Sequence, residues 1–239
     1  YRFRGIDQTY GKPALQGGFD YAHTSGFYLG NWNSNVNSGA GYPSGNLEMD
    51  FYGGWKVAGG DWGRDVGAIY YYYPGTDASL ANGTALGNAK TTSLHTGRVD
   101  NTEIYIGGSW KFISLKYFHA VNDYFSVPHT SGSGYIDLSA NYDLGGGWGI
   151  NGHVGHLNFE NYSNGRSNGD YTDWKLGVTK DISGWVFGAA YVGTNAKGSC
   201  TPNGAGLTQP YCFGNDAPGA TGTKNAGRDT LIVSVSRTF

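Results

Sequence analysis

Residues 47–57 read Leu47-Glu48-Met49-Asp50-Phe51-Tyr52-Gly53-Gly54-Trp55-Lys56-Val57, and the alternation in this stretch decides the fold. Every odd position except one is apolar, whereas Glu48, Asp50 and Lys56 place charges at even positions. Successive side chains of a β-strand point to opposite faces, so the stretch predicts a strand with one apolar and one polar face. About ten residues is the length that a tilted transmembrane strand needs, whereas globular strands average about five or six.

Alternation with period two recurs about every twenty residues along the chain. In residues 136–144 the even positions are apolar, and Trp174, Leu176 and Val178 share one face of a later segment. We therefore predict one all-β domain over residues 1–239, a transmembrane antiparallel up-and-down β-barrel of twelve strands. The predicted strands are residues 1–9, 13–23, 27–36, 45–57, 62–73, 101–111, 112–121, 134–144, 148–158, 171–181, 184–195 and 228–239.

The composition agrees with a barrel in lipid. Charged residues make up 14% of the chain, below the roughly 25% of soluble domains. An aromatic content of 15% argues against disorder. No run of about 18 apolar residues exists, which excludes a transmembrane helix. The net charge of −2 gives no indication of nucleic-acid binding. The predicted surroundings are outer-membrane lipid and lipopolysaccharide.

The connections between the predicted strands alternate between short and long. Outer-membrane barrels have short periplasmic turns and long extracellular loops in this order. We therefore expect both termini in the periplasm and the barrel in a Gram-negative outer membrane, after removal of a signal peptide. The short connections are residues 24–25, 58–61, 111–112, 145–147 and 182–183, and the long ones are residues 37–44, 74–100, 122–133, 159–170 and 196–227.

Tryptophans cluster near one set of turns. An amphipathic ring prefers the depth of the lipid headgroups, so a barrel is expected to carry such a girdle. A soluble sandwich with scattered core tryptophans, the alternative fold, does not account for the clustering. The tryptophans within about three residues of a tight turn are Trp55, Trp62, Trp110, Trp148 and Trp185.

The N-terminal part of the chain carries a block of familiar motifs. Residues 1–9, 13–21, 25–30, 34–36 and 46–54 together resemble the TorF family of porin-like proteins from proteobacteria. The resemblance covers roughly residues 1–54. It implies an outer-membrane barrel with channel activity, and it transfers no catalytic or binding residue.

The last ten residues form a second recognisable segment. Residues 230–239 end in Phe239 and resemble the aromatic-terminated signal that the barrel assembly machinery recognises. That machinery is therefore an expected partner during biogenesis.

Charges that point into the predicted lumen fall into two groups by height. If the pore is open, the upper group favours entry of cations and the lower group opposes them. The alternative is that the charges pair across a lumen filled with side chains. The predicted upper group is Glu48, Asp50, Glu103, Asp137, Asp173 and Lys175, and the predicted lower group is Arg2, Arg4, Lys56, Lys111, Lys116, Asp20, Asp65 and Asp143.

Cys200 and Cys212 lie in the last long loop, and an even cysteine count in an oxidising compartment favours a disulfide. No histidine or acidic residue stands beside them with ligand spacing. His153 and His156 point to opposite faces of one strand and cannot chelate one ion together. We therefore predict no metal and no cofactor.

An enzymatic reading rests on three residues. Ser139 lies two residues from Asp137, and His153 lies on the next predicted strand. A serine nucleophile needs a histidine and an orienting group in this kind of arrangement. No nucleophile elbow or metalloprotease motif accompanies them. The sequence therefore predicts a protein that is not an enzyme.

The predicted function is a porin-like channel for passive diffusion of ions or small polar solutes. A closed barrel that acts through its long loops at residues 74–100 and 196–227 is the second hypothesis. An outer-membrane hydrolase is the third.

Overall fold

The computed structural model describes residues 1–42, 44–78, 97–206, 208–214 and 222–239. Over these ranges the chain is all-β, with two single-turn 3₁₀ helices at Ser38–Ala40 and Tyr124–Ser126. No helix in this part of the chain is long and apolar enough to cross a membrane.

The dominant element is an antiparallel sheet of eleven strands that pair side by side in the order in which they occur along the chain. Two short hairpins stand outside it: β1 (Arg2–Phe3) with β2 (Ile6–Asp7), and β13 (Cys212–Gly214) with β14 (Thr223–Asn225). The sheet contains β3 (Gln16–Ala22), β4 (Phe27–Asn35), β5 (Leu47–Gly59), β6 (Trp62–Tyr72), β7 (Asp100–Trp110), β8 (Ile113–Ala120), β9 (Gly134–Gly145), β10 (Trp148–Asn158), β11 (Tyr171–Ile182), β12 (Trp185–Thr194) and β15 (Thr230–Ser236).

The predicted alternation is confirmed on β5 and on the later strands. On β5, Phe51 and Trp55 are 44% and 45% exposed, whereas Glu48 on the same strand is fully buried. Apolar side chains thus point away from the protein along the whole sheet, and we call this its apolar face. Soluble monomers rarely expose a contiguous apolar surface of such extent. Other exposed members are Ile136, Leu138, Tyr142, Leu144, Leu176, Val178, Leu231, Val233 and Val235.

The prediction of residues 1–9 as a strand of the sheet is wrong. Arg4 and Gly5 have φ angles of 46° and 79°, the left-handed pair that a type I′ turn requires. The chain therefore reverses between Phe3 and Ile6, which pair with each other. Residues 1–9, the N-terminal hairpin, pack against the polar face of the sheet instead of extending it.

The eleven strands form an open sheet in the described part of the chain. β3 pairs only with β4, and β15 pairs only with β12. Both edge strands run toward the tight turns. β3 ends at Ala22, directly before the first tight turn, and Ser236 at the end of β15 pairs with Val186, near the start of β12. Over the described ranges, the sheet does not close into a barrel and has no twelfth strand.

The two ends of the strands differ in their connections. Tight turns join the strands at one end, the tight-turn end, and the longer connections lie at the other, the long-loop end. The N-terminal hairpin lies at the long-loop end, where the Tyr1 hydroxyl donates to Glu48 Oε1 at 2.9 Å. Phe239 follows β15 at the tight-turn end. The prediction that both termini share the tight-turn end therefore does not hold for residues 1–9, because they fold as a hairpin and do not cross the sheet.

Buried aromatic rings form the core at the long-loop end. Tyr42 stacks on Tyr73 with ring centroids 4.0 Å apart, and Phe159 stacks on Tyr162 at 4.4 Å. We call this cluster the aromatic cap, since it lies where the long connections meet the N-terminal hairpin. It consists of Tyr42, Tyr73, Tyr124, Phe159, Tyr162, Tyr171, Tyr211 and Phe213.

Candidate functional site

The polar face of the sheet gathers the charged side chains and is the candidate functional site. At the long-loop end it buries Glu48, Glu103 and Asp173, each no more than 1% exposed, and Asp50 at 6%. Lys175 is half-buried on the same face. The tight-turn end is more open.

A buried ion pair joins the N-terminal hairpin to the sheet. Arg4 donates from Nη1 and Nη2 to the two carboxylate oxygens of Glu103 at 2.8 and 2.7 Å. Nη1 also donates to the Tyr124 hydroxyl at 2.9 Å, and the guanidinium carbon lies 4.2 Å from the centroid of the Tyr135 ring. Bidentate arginine–carboxylate pairs are among the strongest hydrogen-bonded contacts in proteins. This pair therefore anchors the hairpin.

The ionisation of Arg4 follows from this environment. Burial alone lowers the pKa of Arg4, but the Glu103 carboxylate raises it more, so the pKa lies well above its ordinary value. The Glu103 carboxylate therefore favours the charged form of the guanidinium.

Arg2 and Arg4 were predicted in the tight-turn half, and both placements are wrong. The type I′ turn carries them to the long-loop end. There Arg2 donates to the carbonyl of Ala226 at 2.5 Å, and Asp7 lies 3.3 Å from the Lys224 ammonium. The hairpin is thus tied to the segment that precedes β15.

Contacts of the N-terminal hairpin span nearly the full width of the sheet. The Tyr1 ring lies 5.2 Å from Trp32 on β4, and Phe3 lies 5.4 Å from Tyr71 on β6. A Cβ atom added to Gly5 would lie 2.4 Å from Thr194 of β12. One short hairpin can touch β4 and β12 together only if the sheet curves around it.

The trio Ser139, Asp137 and His153 comes together but without the geometry of a catalytic triad. His153 Nδ1 lies 2.7 Å from Asp137 and Nε2 lies 2.9 Å from Asp173. Ser139 donates its hydroxyl proton to Asp137 and not to His153. An imidazole whose two nitrogens face carboxylates has no free nitrogen to accept a proton from a serine. The cluster instead links β9, β10 and β11 across the polar face.

The tight-turn half contains a cavity of about 820 Å³, which we call the turn-end cavity. Lys116 lies 2.6 Å from Asp65, and Tyr28 donates to the same carboxylate at 2.7 Å. Tyr52 donates to Asp20 at 2.6 Å. Charges and phenol groups thus line the wall, and the rings of Tyr105 and Phe118 line the cavity too.

The remaining predicted charges lie toward the tight turns. Lys56 is exposed and lines the turn-end cavity. Lys111 lies in the turn itself, exposed, with its ammonium 3.8 Å from Asp61. Asp143 is exposed and accepts from the backbone N–H of Gly145 at 2.8 Å. Lys111 therefore lies at the edge of the polar face, in the tight turn, and not on a strand.

Cys200 and Cys212 form a disulfide with their Cα atoms 5.1 Å apart. The described residues contain no group of three or more histidine, cysteine or acidic side chains placed to hold a metal ion. The surface predicted for the loops at 74–100 and 196–227 lies partly outside the described residues, at 79–96, 207 and 215–221.

Sequence reasoning missed the partners of Arg4. Tyr135 precedes the alternating segment 136–144, so its parity places it on the polar face, and that signal was available. Tyr124 lies in a long connection without any periodicity, and Glu103 is 99 positions away from Arg4. No local pattern connects them.

Comparison with known proteins gives one match over the whole chain. The family described as "Bacterial protein of unknown function (Gcw_chp)" matches residues 1–239. No curated protein matches. The match does not identify a porin, so the resemblance to the TorF family stays a prediction.

Proposed function

The chain belongs to the Gcw_chp family of bacterial proteins, and we propose that it is an outer-membrane barrel that conducts ions or small polar solutes when its N-terminal hairpin leaves the lumen. One combination of features carries this proposal. The sheet exposes its apolar face, and the turn-end cavity on its polar face ends at the N-terminal hairpin. The apolar face suits lipid chains, and the cavity suits water and polar solutes.

Barrel closure is the first part of the proposal. In lipid, unpaired backbone N–H and C=O groups cost several kcal/mol each, so an open edge is not tolerated there. β3 and β15 run in the same direction, so direct closure requires a parallel pair. The predicted count of twelve requires one further strand between them, antiparallel to both. The contacts of the hairpin with β4 and β12 support a sheet already curved toward closure.

Cysteine scanning distinguishes these two forms of closure. In a Cys200→Ser/Cys212→Ser background, single cysteines along β3 are combined with single cysteines along β15 in folded protein. Direct closure predicts disulfides at one register. The absence of disulfides at every register, in protein that still folds in lipid, contradicts direct closure and favours an inserted strand.

Orientation and localisation complete the barrel proposal. We place the tight turns in the periplasm and the long loops outside, among lipopolysaccharide, as in known outer-membrane barrels. The exposed Phe239 belongs to a segment, residues 230–239, that resembles the signal recognised by the barrel assembly machinery. The resemblance to TorF proteins supports the same location.

Conduction requires a change at the long-loop end. The hairpin and the aromatic cap fill the polar face there, whereas the tight-turn half retains its cavity. Displacement of residues 1–9 removes Arg4 from Glu103 and Asp7 from Lys224. A channel that opens in this way carries small solutes only, because twelve strands or fewer enclose far less space than a sixteen-stranded porin.

A closed barrel that acts through its loops is the second candidate. The aromatic cap and the buried Arg4–Glu103 pair favour it, because both stabilise the long-loop end as a sealed structure. We propose no catalytic role, since both nitrogens of His153 face carboxylates.

Planar-bilayer recordings decide between the two candidates. The variants are the wild type, a deletion of residues 1–9, and a Lys111→Gln control in the exposed tight turn. The channel proposal predicts rare unitary steps for the wild type and the control, and frequent steps for the deletion. Silent bilayers with all three proteins, each shown to be folded, contradict the channel and support the closed barrel.

A further inference from the structure

Asp50 on β5 is a buried carboxylate without a partner. Its side chain is only 6% exposed, yet its Oδ1 atom has no hydrogen-bond partner among the described residues. No lysine, arginine or histidine in that part of the chain lies within ion-pair distance of it. Isolated buried carboxylates are costly, and proteins normally supply them with a cation or hydrogen-bond donors.

The nearby cation is already used. Arg4 gives both guanidinium nitrogens to Glu103. Lys56 lies six residues further along the same strand, about 20 Å away at the rise of an extended chain. Lys116 is paired with Asp65. Among the described residues that line the turn-end cavity, Asp50 is therefore the acidic group at the long-loop end, and no basic side chain pairs with it.

Aromatic rings surround this carboxylate on its own face of the sheet. Trp32 lies directly opposite Asp50 on β4, and Tyr71 lies directly opposite on β6. Directly paired residues point to the same face, and so does Tyr52, two positions along β5. All three rings line the same cavity as Asp50.

We propose that Asp50, Trp32, Tyr52 and Tyr71 form a binding site for a small organic cation, an alkylammonium or quaternary ammonium compound. Aromatic faces attract such cations, and a single carboxylate neutralises the charge. Inorganic cations need several oxygen ligands, and one carboxylate among rings does not provide them. Binding at this site does not depend on the proposed channel. The inference rests on the proposed function only where it names such a cation as the solute that the channel would carry.

Calorimetric titration of the folded full-length chain in detergent tests the site. Choline is the probe, and its isostere in which carbon replaces the ammonium nitrogen is the neutral reference. We expect choline to bind at least about tenfold more tightly than the isostere, because only the cation gains the carboxylate and the ring faces. Binding requires no open pore, so a failed titration and a failed conductance experiment are separate results.

Variants distinguish specific binding at Asp50 and Trp32 from a general electrostatic effect of the carboxylates that line the cavity. Asp50→Asn is isosteric and is expected to weaken choline binding at least about tenfold. Trp32→Leu is expected to weaken it about threefold to tenfold, and Trp32→Phe to retain most of the affinity. Asp143→Asn is the matched control, since it removes one carboxylate from the tight-turn end, and it is expected to change the affinity less than about twofold.

Thermal unfolding gives a second readout in the same proteins. Choline is expected to raise the unfolding temperature of the wild type and of Asp143→Asn, and to leave that of Asp50→Asn unchanged. Four results would each overturn the proposal. They are equal affinity for choline and the isostere, full choline affinity in Asp50→Asn, displacement of choline by equimolar potassium, and no choline binding at all.

Discussion

Strand β5 runs through two regions of the molecule that are built in different ways. Near its start, Glu48 is fully buried under the N-terminal hairpin and accepts from Tyr1. Near its end, Lys56 is exposed in the turn-end cavity. The same alternating strand supplies both residues, so burial on the polar face is decided by what lies against the sheet. At the long-loop end the hairpin and the connections supply that material, and at the tight-turn end nothing in the described chain does.

The ion pairs show the same contrast. Arg4 and Glu103 are 5% and 1% exposed, whereas Lys116 and Asp65 are 32% and 15% exposed. Loss of one partner from a deeply buried pair leaves an uncompensated charge, and loss from a partly exposed pair leaves a charge that water can reach. The two pairs therefore provide a matched test of the difference between the ends.

The largest effect is expected from Glu103→Gln. It should lower the free energy of unfolding by about 3–5 kcal/mol, because Arg4 remains buried without its counter-charge. Urea unfolding of the folded protein in detergent measures this. Asp65→Asn, the control at the other end, should cost about 1 kcal/mol or less.

A double variant sharpens this prediction. Arg4→Met combined with Glu103→Gln removes both charges, and we expect it to recover most of the lost stability, since paired buried charges are often replaceable by neutral groups. Equal losses at the two ends, or no recovery in the double variant, would contradict the assignment of the Arg4–Glu103 pair as the anchor of the sealed end.

The disulfide is expected to have the next largest effect. Cys200→Ser/Cys212→Ser should destabilise the long-loop end by up to about 3 kcal/mol in the chain-entropy model. Limited proteolysis should then cut within the loop that contains the two positions, while the sheet stays resistant. Treatment of the wild type with a reductant provides the control, and it should reproduce the cleavage pattern of the double variant.

The hydrophobic alternation was readable from the sequence, and the long-loop end was not. Residues 47–57 and 136–144 carry a period of two that survives in the structure, because each strand has one face toward the protein and one away from it. Residues 1–9 show a similar alternation of Tyr1 and Phe3 with Arg2 and Arg4. The turn at Arg4-Gly5 overrides it, since only Gly5 among these residues adopts a left-handed φ without a steric penalty.

The partners on the polar face were predictable only in part. Parity placed Glu48, Asp50, Asp137 and Asp173 on one face, and the structure puts them there. Which of them would be paired was not predictable, because Arg4 reaches Glu103 across 99 positions and His153 lies between carboxylates from two neighbouring strands. Such contacts depend on the curvature of the sheet, and a local pattern does not encode it.

Alkaline pH should open the aromatic cap. Burial, outweighing the opposing charge of Arg4, raises the pKa of Tyr124 from its ordinary 10.0 to about 12. Because the pKa of Tyr124 is higher in the folded state, Tyr124 contributes to the free energy of unfolding below pH 10. This contribution falls by about 1.4 kcal/mol per pH unit as the pH rises from 10 to about 12. Near-ultraviolet circular dichroism of the tyrosines should follow this loss. Tyr124→Phe, which cannot ionise, should shift it to higher pH, and an unchanged transition would contradict the role of Tyr124.

The smallest effect is expected at the tight-turn end. Tyr52→Phe removes the hydrogen bond to Asp20, and water can replace it in the open cavity. We expect a loss of less than about 1 kcal/mol in unfolding free energy. Tyr211→Phe in the aromatic cap, where the hydroxyl donates to the carbonyl of Gly169, should cost more. The reverse order would contradict the contrast between the two ends.

Side-specific thiol labelling tests most directly whether the long-loop end is sealed and the tight-turn end open. Lys56→Cys is placed in protein reconstituted into vesicles, and a membrane-impermeant thiol reagent is added outside only. Gly59→Cys, where a side chain meets no neighbour within 4 Å, reports molecules whose tight-turn end faces outward. Ser131→Cys, exposed in a long connection, reports those with the opposite orientation. We predict that Lys56→Cys is modified to the same fraction as Gly59→Cys. Modification that reaches the sum of the two control fractions would show access from both ends and would contradict the sealed long-loop end.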